Sequence, residues 1–483
     1  MSANSPAIGV PLVPSARELN RKASSSLFWQ AGKLSAHLLQ YVLLARLVLP
    51  AEFGKFALVY PLFMILSALN DGGLSTATVT GRQYDARLAS NLWWTQLVLG
   101  VVVASIMVLG APVISLMYGV QDLLLIGTGL AMSLLVESWG LQSKANLRRD
   151  MQVERLGLVE VGGLLMGLSV AWIASYWTRT VELLVIAHVV GAASRTAIAF
   201  LLAPLRPGRF SPSPEYRRAL RTGWHVVGGD LLNIMRNQSP TIAIGFFITL
   251  TQVGLFNRAN QLFSIPLTML APAIANFLLP LLSRTRETPQ QFQLHVVSTQ
   301  RLFLAVAIPI SVWIALGPTH LVVFALGAEW APAVTILQCL SPLFMSQVLA
   351  TVARMTLLAS DQAHVDRKFS FLNLLLTVLV VFSAAPFGVY AVALALSISG
   401  LLLRSPLLAW FAIRNRSMAL ASVLDGLATI ALLAVPAALL VLACRWARGP
   451  GVLSDLLGLG AVAGVSAIAL VLIVRRQRHG GAE

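Results

Sequence analysis

The chain has 483 residues, of which 57% are hydrophobic and 11% charged, with a mean hydropathy of +0.78. Soluble domains carry roughly twice that share of charge, so the composition excludes a soluble fold and indicates a polytopic membrane protein. The net charge of +16 comes from basic residues scattered over short loops, which argues against a nucleic-acid partner.

Residues 1–26 are polar and read as a cytoplasmic N-terminal segment. The first apolar run carries Gln30, Lys33, His37 and Gln40, unlike the unbroken core of a secretory signal, so it is expected to persist as the first helix. About fourteen spans are predicted, near 27–48, 56–79, 91–110, 123–142, 157–176, 181–203, 225–248, 256–282, 299–317, 333–358, 370–388, 390–412, 423–444 and 455–474. The expected fold is all-α. Residues 27–204 form an N-lobe of six helices and residues 224–413 a C-lobe of six, around a central cavity. Two further helices lie in 423–474, before a cytoplasmic tail at 475–483. Between the lobes, 205–223 contains Pro207, Pro212 and Pro214 among five arginines and reads as a cytoplasmic linker. Placing both termini inside leaves only Lys55, Arg179, Arg445 and Arg448 on the outer side, a strong positive-inside bias.

The first hydrophobic hairpin returns later in the chain. Gly54-Lys55-Phe56 recurs as Gly254-Leu255-Phe256, and Gln30, Lys33, His37 and Gln40 recur as Asp230, Asn233, Asn237 and Pro240. Steps of three and four place each set on one helix face, and such a polar face is costly against hydrocarbon. Both stripes are therefore expected to face protein or a wet cavity. A second pair of stretches matches more weakly: Glu137 and Lys144 stand at the spacing of Gln347 and Arg354. Cys339 and Cys444 lie far apart in apolar segments and read as core residues; no metal or cofactor is expected.

Several motifs together resemble the bacterial polysaccharide or oligosaccharide flippases, the Wzx-like branch of the multidrug/oligosaccharidyl-lipid/polysaccharide exporter superfamily. They are Ala45-Arg46-Leu47-Val48-Leu49-Pro50-Ala51-Glu52-Phe53-Gly54, Asp71-Gly72-Gly73-Leu74-Ser75-Thr76-Ala77, Leu147-Arg148-Arg149-Asp150-Met151, Gly254-Leu255-Phe256-Asn257-Arg258-Ala259, Leu279-Pro280-Leu281-Leu282-Ser283-Arg284 and Leu326-Gly327-Ala328-Glu329-Trp330. The resemblance implies translocation of undecaprenyl-diphosphate-linked oligosaccharide across the bacterial inner membrane by alternating access, for lipopolysaccharide, capsule or exopolysaccharide synthesis. It implies a monomer, not an enzyme, working beside a polysaccharide polymerase and a chain-length regulator. Where many relatives have an aspartate and an asparagine, this chain reads Gln238-Ser239-Pro240-Thr241, so an ion-coupling role for that aspartate does not carry over; Asp230 is the nearby substitute.

Moving a hydrated, anionic diphosphate head through hydrocarbon calls for a cationic, water-accessible cavity. Arg236, about eleven residues into its span and hence near the midplane, is the first candidate for a diphosphate or sugar contact. Lys33, Arg258 and Arg354 are the other cavity candidates, with Asn257 and Gln261 beside Arg258 suited to sugar hydroxyls. Arg46 reads as an interface residue or a partner of Glu52, while Arg195 and Arg404 read as snorkelling to the inner surface. Asp71, Glu137 and Asp230 are expected to pair with arginines or to couple ions, structural pairing being favoured. Trp29, Trp93, Trp94, Trp139, Trp330 and Trp446 read as an interfacial belt. A drug and cation antiporter of the same superfamily is the alternative, disfavoured because cations outnumber carboxylates within the spans. A membrane polymerase or glycosyltransferase fits less well, since the longest outer segment has Glu329 as its only acid and no nucleotide-binding loop occurs.

Overall fold

The structure, a computed structural model, describes residues 16–81 and 84–480. The outermost parts of the expected terminal segments, 1–15 and 481–483, lie outside the described residues, as do Arg82 and Gln83. The elements are α1 (Ala16–Leu47), α2 (Pro50–Asp71), α3 (Leu74–Thr80), α4 (Ala86–Tyr118), α5 (Leu123–Arg149), α6 (Val153–Ala174), α7 (Glu182–Leu202), α8 (Pro214–Phe247) and α9 (Leu250–Arg284). They continue with α10 (Pro289–Leu316), α11 (Thr319–Leu326), a short 3₁₀ turn (Ala328–Trp330), α12 (Ala331–Ala359), α13 (Ala363–Ala384), α14 (Val389–Ser399), α15 (Ser405–Arg414), α16 (Leu420–Arg448) and α17 (Val452–Gly480). No strand occurs among the described residues.

Among the described residues, twelve helical segments are long and apolar enough to cross a membrane. Neither α1 nor α8 is among them, because their polar stripes dilute the apolar run. Counted with those twelve, they account for the fourteen expected spans, and the chain is a multi-pass membrane protein.

Local sequence explains where helices start and stop. Pro50 opens α2 and Pro214 opens α8, positions where the missing N–H costs nothing. Ser213 caps α8 by accepting from the Tyr216 N–H, and Asp85 caps α4 by accepting from the Leu88 N–H at 2.7 Å. Between α2 and α3, Gly72 and Gly73 take φ of 59° and 65°, a left-handed pair that suits glycine and breaks the long second span. The linker is shorter than expected, because the Ser213 cap and Pro214 start α8 inside the predicted loop. Its remaining residues are not loose: Asn91 exchanges two hydrogen bonds with the Ser211 backbone, and Ser90 and Trp94 both donate to the Gly208 carbonyl.

The first seven helices pack largely among themselves, with α4 on α5, α6 on α7 and α1 on α6. Likewise α9 and α10 pack on α12, and α13 packs on α8 and α14. The two groups meet chiefly where α2 crosses α9, and there the repeated glycines face each other. A Cβ on Gly54 would lie 1.9 Å from the Leu250 carbonyl oxygen, and one on Gly254 would lie 1.8 Å from that of Pro50. Only glycine permits so close a crossing. The weaker repeat has a backbone signature as well: Met151 and Asp361 both adopt left-handed φ, 52° and 58°. The turns around them share one hydrogen-bond pattern, Gln152 N–H to Leu147 and Gln362 N–H to Leu357.

The last two helices, α16 and α17, lie against α10. One end is held by an ion pair between Arg301 and Asp425, the other by Asp455, which is buried and pairs with Arg445 at 3.1 Å. The Asp455 carboxylate also accepts from the Leu321 N–H of α11.

Candidate functional site

A cavity of about 70 Å³ opens among α8, α12, α13 and the junction of α14 with α15. Three arginines line it: Arg236 from α8, Arg354 from α12 and Arg404 from the junction. On α12, Gln347, Thr351 and Arg354 line it together, as their spacing of four and three on one face requires. Asn373 of α13 completes the polar wall.

Arg404 is turned inward by local backbone geometry. Residues Gly400–Arg404 form one π-helical turn, which shifts the following side chains out of α-helical register. Gly400 makes room, since a Cβ there would sit 2.4 Å from Leu343 Cδ1 and 3.2 Å from the Arg404 guanidinium. Arg404 donates to Thr377 Oγ1 at 3.2 Å and to the Leu396 carbonyl at 2.5 Å.

The charge balance of the cavity is one-sided. Arg354 pairs with Asp366 at 2.9 Å and donates to Ser370. Arg236 and Arg404 make no ion pair among the described residues, and the buried Nε of each lacks a protein acceptor. The Asn373 Oδ1 is likewise buried without a donor. Three cations with one carboxylate leave a surplus positive field in a confined space, which is what an anion needs to replace its hydration. A cavity of this size admits several waters and no sugar ring, so a large head enters only with movement of the surrounding helices.

The first half of the chain holds a counterpart with more counter-charge, two carboxylates among three cations. Glu137 on α5 sits 3.1 Å from Lys144 and 3.6 Å from Arg195, and Glu160 on α6 sits 3.3 Å from Lys33. Where the C-terminal half has Gln347 at the matched position, this half has Glu137, and the carboxylate neutralises its neighbours.

The remaining predicted residues are dispersed. Lys33 is half exposed on α1 but tied to Glu160. Gln30 and His37 are exposed and Gln40 is half-buried on the same helix, with Gln30 donating to Ser26. Asp230 and Asn237 are exposed on α8, and Asn233 donates to the Gly229 carbonyl. Asp71 accepts from Ser75; neither Asp71 nor Asp230 makes an ion pair among the described residues, so of the three acids only Glu137 meets basic partners. Asn257 and Gln261 bond each other, and Gln261 accepts from Arg258.

Four sequence expectations are displaced by the packing. Arg258 does not reach the cavity: it is buried in an aromatic cage, 3.7 Å from the Phe53 ring centroid, 4.4 Å from that of Tyr41 and 5.9 Å from that of Trp330. Trp330 is a core residue rather than a belt residue, donating to the Ala45 carbonyl at 2.8 Å. Neither Arg195 nor Arg404 snorkels; the first pairs with Glu137 and the second lines the cavity. Arg46 is exposed near the end of α1 and donates to the Phe324 and Ala325 carbonyls of α11, while Glu52 pairs with Lys55.

Sequence reasoning missed Arg404, Asn373 and Glu160. The only available signal was polarity inside an apolar run.

Comparison with known proteins agrees with this architecture. The family model described as "Polysaccharide biosynthesis protein" matches residues 43–335. The lipopolysaccharide biosynthesis protein WzxC of Escherichia coli is 20% identical over 73% of this chain and 73% of its own length. The succinoglycan biosynthesis transport protein ExoT of Rhizobium meliloti is 25% identical over 68% of this chain and 66% of its own. Among solved structures, the lipid II flippase MurJ in an inward closed conformation superposes with a TM-score of 0.75 at 12% identity, covering 95% of this chain and 99% of that one. The fold is thus shared with that flippase, and the chain belongs to the polysaccharide biosynthesis protein family.

Proposed function

We propose that the protein is a flippase that moves a prenyl-diphosphate-linked oligosaccharide between membrane leaflets, with the α8–α12–α13–α15 cavity receiving the anionic head. The observation that carries this reading is the convergence of Arg236, Arg354 and Arg404 on one cavity, with Asp366 the only acid ion-paired to them among the described residues. A buried guanidinium Nε without an acceptor, as on Arg236 and Arg404, is costly, and a diphosphate with several acceptor oxygens can satisfy it. The names of relatives in lipopolysaccharide and succinoglycan synthesis support a glycan-linked cargo.

In this reading no bond is made or broken. The tail stays in lipid while the head exchanges water for arginine donors, and relative motion of the two helix groups about the Gly54–Gly254 crossing exposes the cavity alternately. The glycines allow a close, side-chain-free pivot. The arginine-rich helix ends face the cytoplasm, with both termini there and the protein in the inner membrane.

The test is translocation of a fluorescent prenyl-diphosphate oligosaccharide in liposomes, comparing wild type with Arg236→Ala at equal folded incorporation. Movement that depends on the protein and falls at least about tenfold in the variant is expected, from the loss of one charge-assisted contact. Movement undiminished in the variant contradicts the assigned cavity. Absence of movement with several lipid-linked glycans contradicts the function.

A further inference from the structure

A second, larger concavity lies along the earlier part of α8. It has a volume of about 700 Å³ and is walled by α2, α4 and α8, with Leu69, Leu99, Val102, Ile106, Leu220 and Val227 among its lining. The wall is apolar except at the arginine-rich end, where Arg221 and His225 complete it. The groove shares no lining residue with the three-arginine cavity, and its polar end is made by residues earlier on α8 than Arg236.

Charge indicates the occupant. Arg217, Arg221 and His225 recur every four residues along one face of α8, all exposed. Neither arginine makes a salt bridge or side-chain hydrogen bond among the described residues. Glu215, on the same helix, has Arg218 as its basic neighbour. Trp224, 71% exposed beside the groove, is the residue type that settles at a headgroup boundary.

We infer that this groove is a binding site for an anionic phospholipid, with one acyl chain between α4 and α8 and the phosphate on Arg217, Arg221 and His225. An apolar trough capped by unpaired cations matches that amphiphile in both parts. The site also spans the two helix groups at the place where Gly73 and Gly223 touch; a Cβ on Gly73 would lie 2.3 Å from the Gly223 carbonyl oxygen. A lipid seated here bridges α2 and α4 to α8 and so holds that contact closed.

The test uses the full-length protein in phosphatidylcholine nanodiscs with a phosphatidylglycerol probe carrying a photoactivatable diazirine in its acyl chain. Labelling is expected on α4 between Leu99 and Ile106 and on α8 between Leu220 and Val227. Unlabelled phosphatidylglycerol should compete and phosphatidylcholine should not. Removing Arg217 or Arg221 as glutamine, both at exposed positions where folding is unaffected, should lower labelling roughly fivefold each. Val102→Trp should block the trough while leaving the arginines in place. Equal labelling by a phosphatidylcholine probe, or labelling undiminished in all three variants, would reduce the groove to ordinary lipid contact and overturn the inference. Stronger competition by a prenyl diphosphate than by phosphatidylglycerol would assign the groove to transport cargo and overturn it equally.

Discussion

Replacing Glu137 by glutamine removes one negative charge and almost no volume. Its carboxylate lies 3.1 Å from Lys144 and 3.6 Å from Arg195, with side chains only 17%, 8% and 18% exposed. Solvent screening at such burial is weak, so the substitution leaves two cations close together without their shared counter-charge. Breaking a buried pair from one side costs about 3–5 kcal/mol, because the stranded charge has lost both water and partner. Lys144→Met alone should cost less, about 1–3 kcal/mol, since Glu137 keeps Arg195. The double variant Glu137→Gln/Lys144→Met should be less destabilised than the sum of the two by about 1–3 kcal/mol, the coupling of residues in one network. Unfolding in mixed detergent micelles, followed by tryptophan fluorescence, measures all three. A Glu137→Gln protein within about 0.5 kcal/mol of wild type would refute the assignment of Glu137 as a structural counter-ion.

Four further outcomes follow from the packing. Gly54→Ala should lower stability by about 1–3 kcal/mol or more, because its Cβ meets the Leu250 carbonyl at 1.9 Å. Gly32→Ala, with nothing within 4 Å, should be neutral or slightly stabilising in the same micelle unfolding assay. Arg258→Met should cost about 1–2 kcal/mol through loss of its aromatic contacts while leaving prenyl-diphosphate affinity unchanged, which a binding titration checks. Asp455→Asn should loosen the α16–α17 connection by stranding Arg445, seen as faster protease cleavage at 449–451.

Much of the fold was legible because the bilayer imposes length and polarity rules on every span. The repeat was legible at Gly54 and Gly254 because a close backbone crossing tolerates no other residue. Arg236 stood out by depth in its span, and Arg354 by sharing a helix face with Gln347 and Thr351. Arg404 did not, because counting at 3.6 residues per turn fails across the Gly400–Arg404 π turn. Lys33 could not be matched with Glu160, nor Arg258 with Tyr41, Phe53 and Trp330, because those partners come from helices distant in sequence. The polar cluster around Arg258 invited a cavity reading, while its neighbours in space are aromatic. Linker length was misjudged because prolines mark a helix start as readily as a loop, and Ser213 ahead of Pro214 was the distinguishing signal.

The central claim is that three converging arginines receive the diphosphate, and the measurement that addresses it most directly is binding of a short-chain prenyl diphosphate to purified protein. Wild type is compared with Arg236→Gln, Arg404→Gln and the double variant, with the uncharged prenol as reference. The account predicts that each substitution weakens diphosphate binding by about tenfold or more, at about 1.5–3 kcal/mol per charge-assisted contact, and leaves prenol binding unaltered. Equal diphosphate affinity in wild type and the double variant, with all proteins folded, would contradict it.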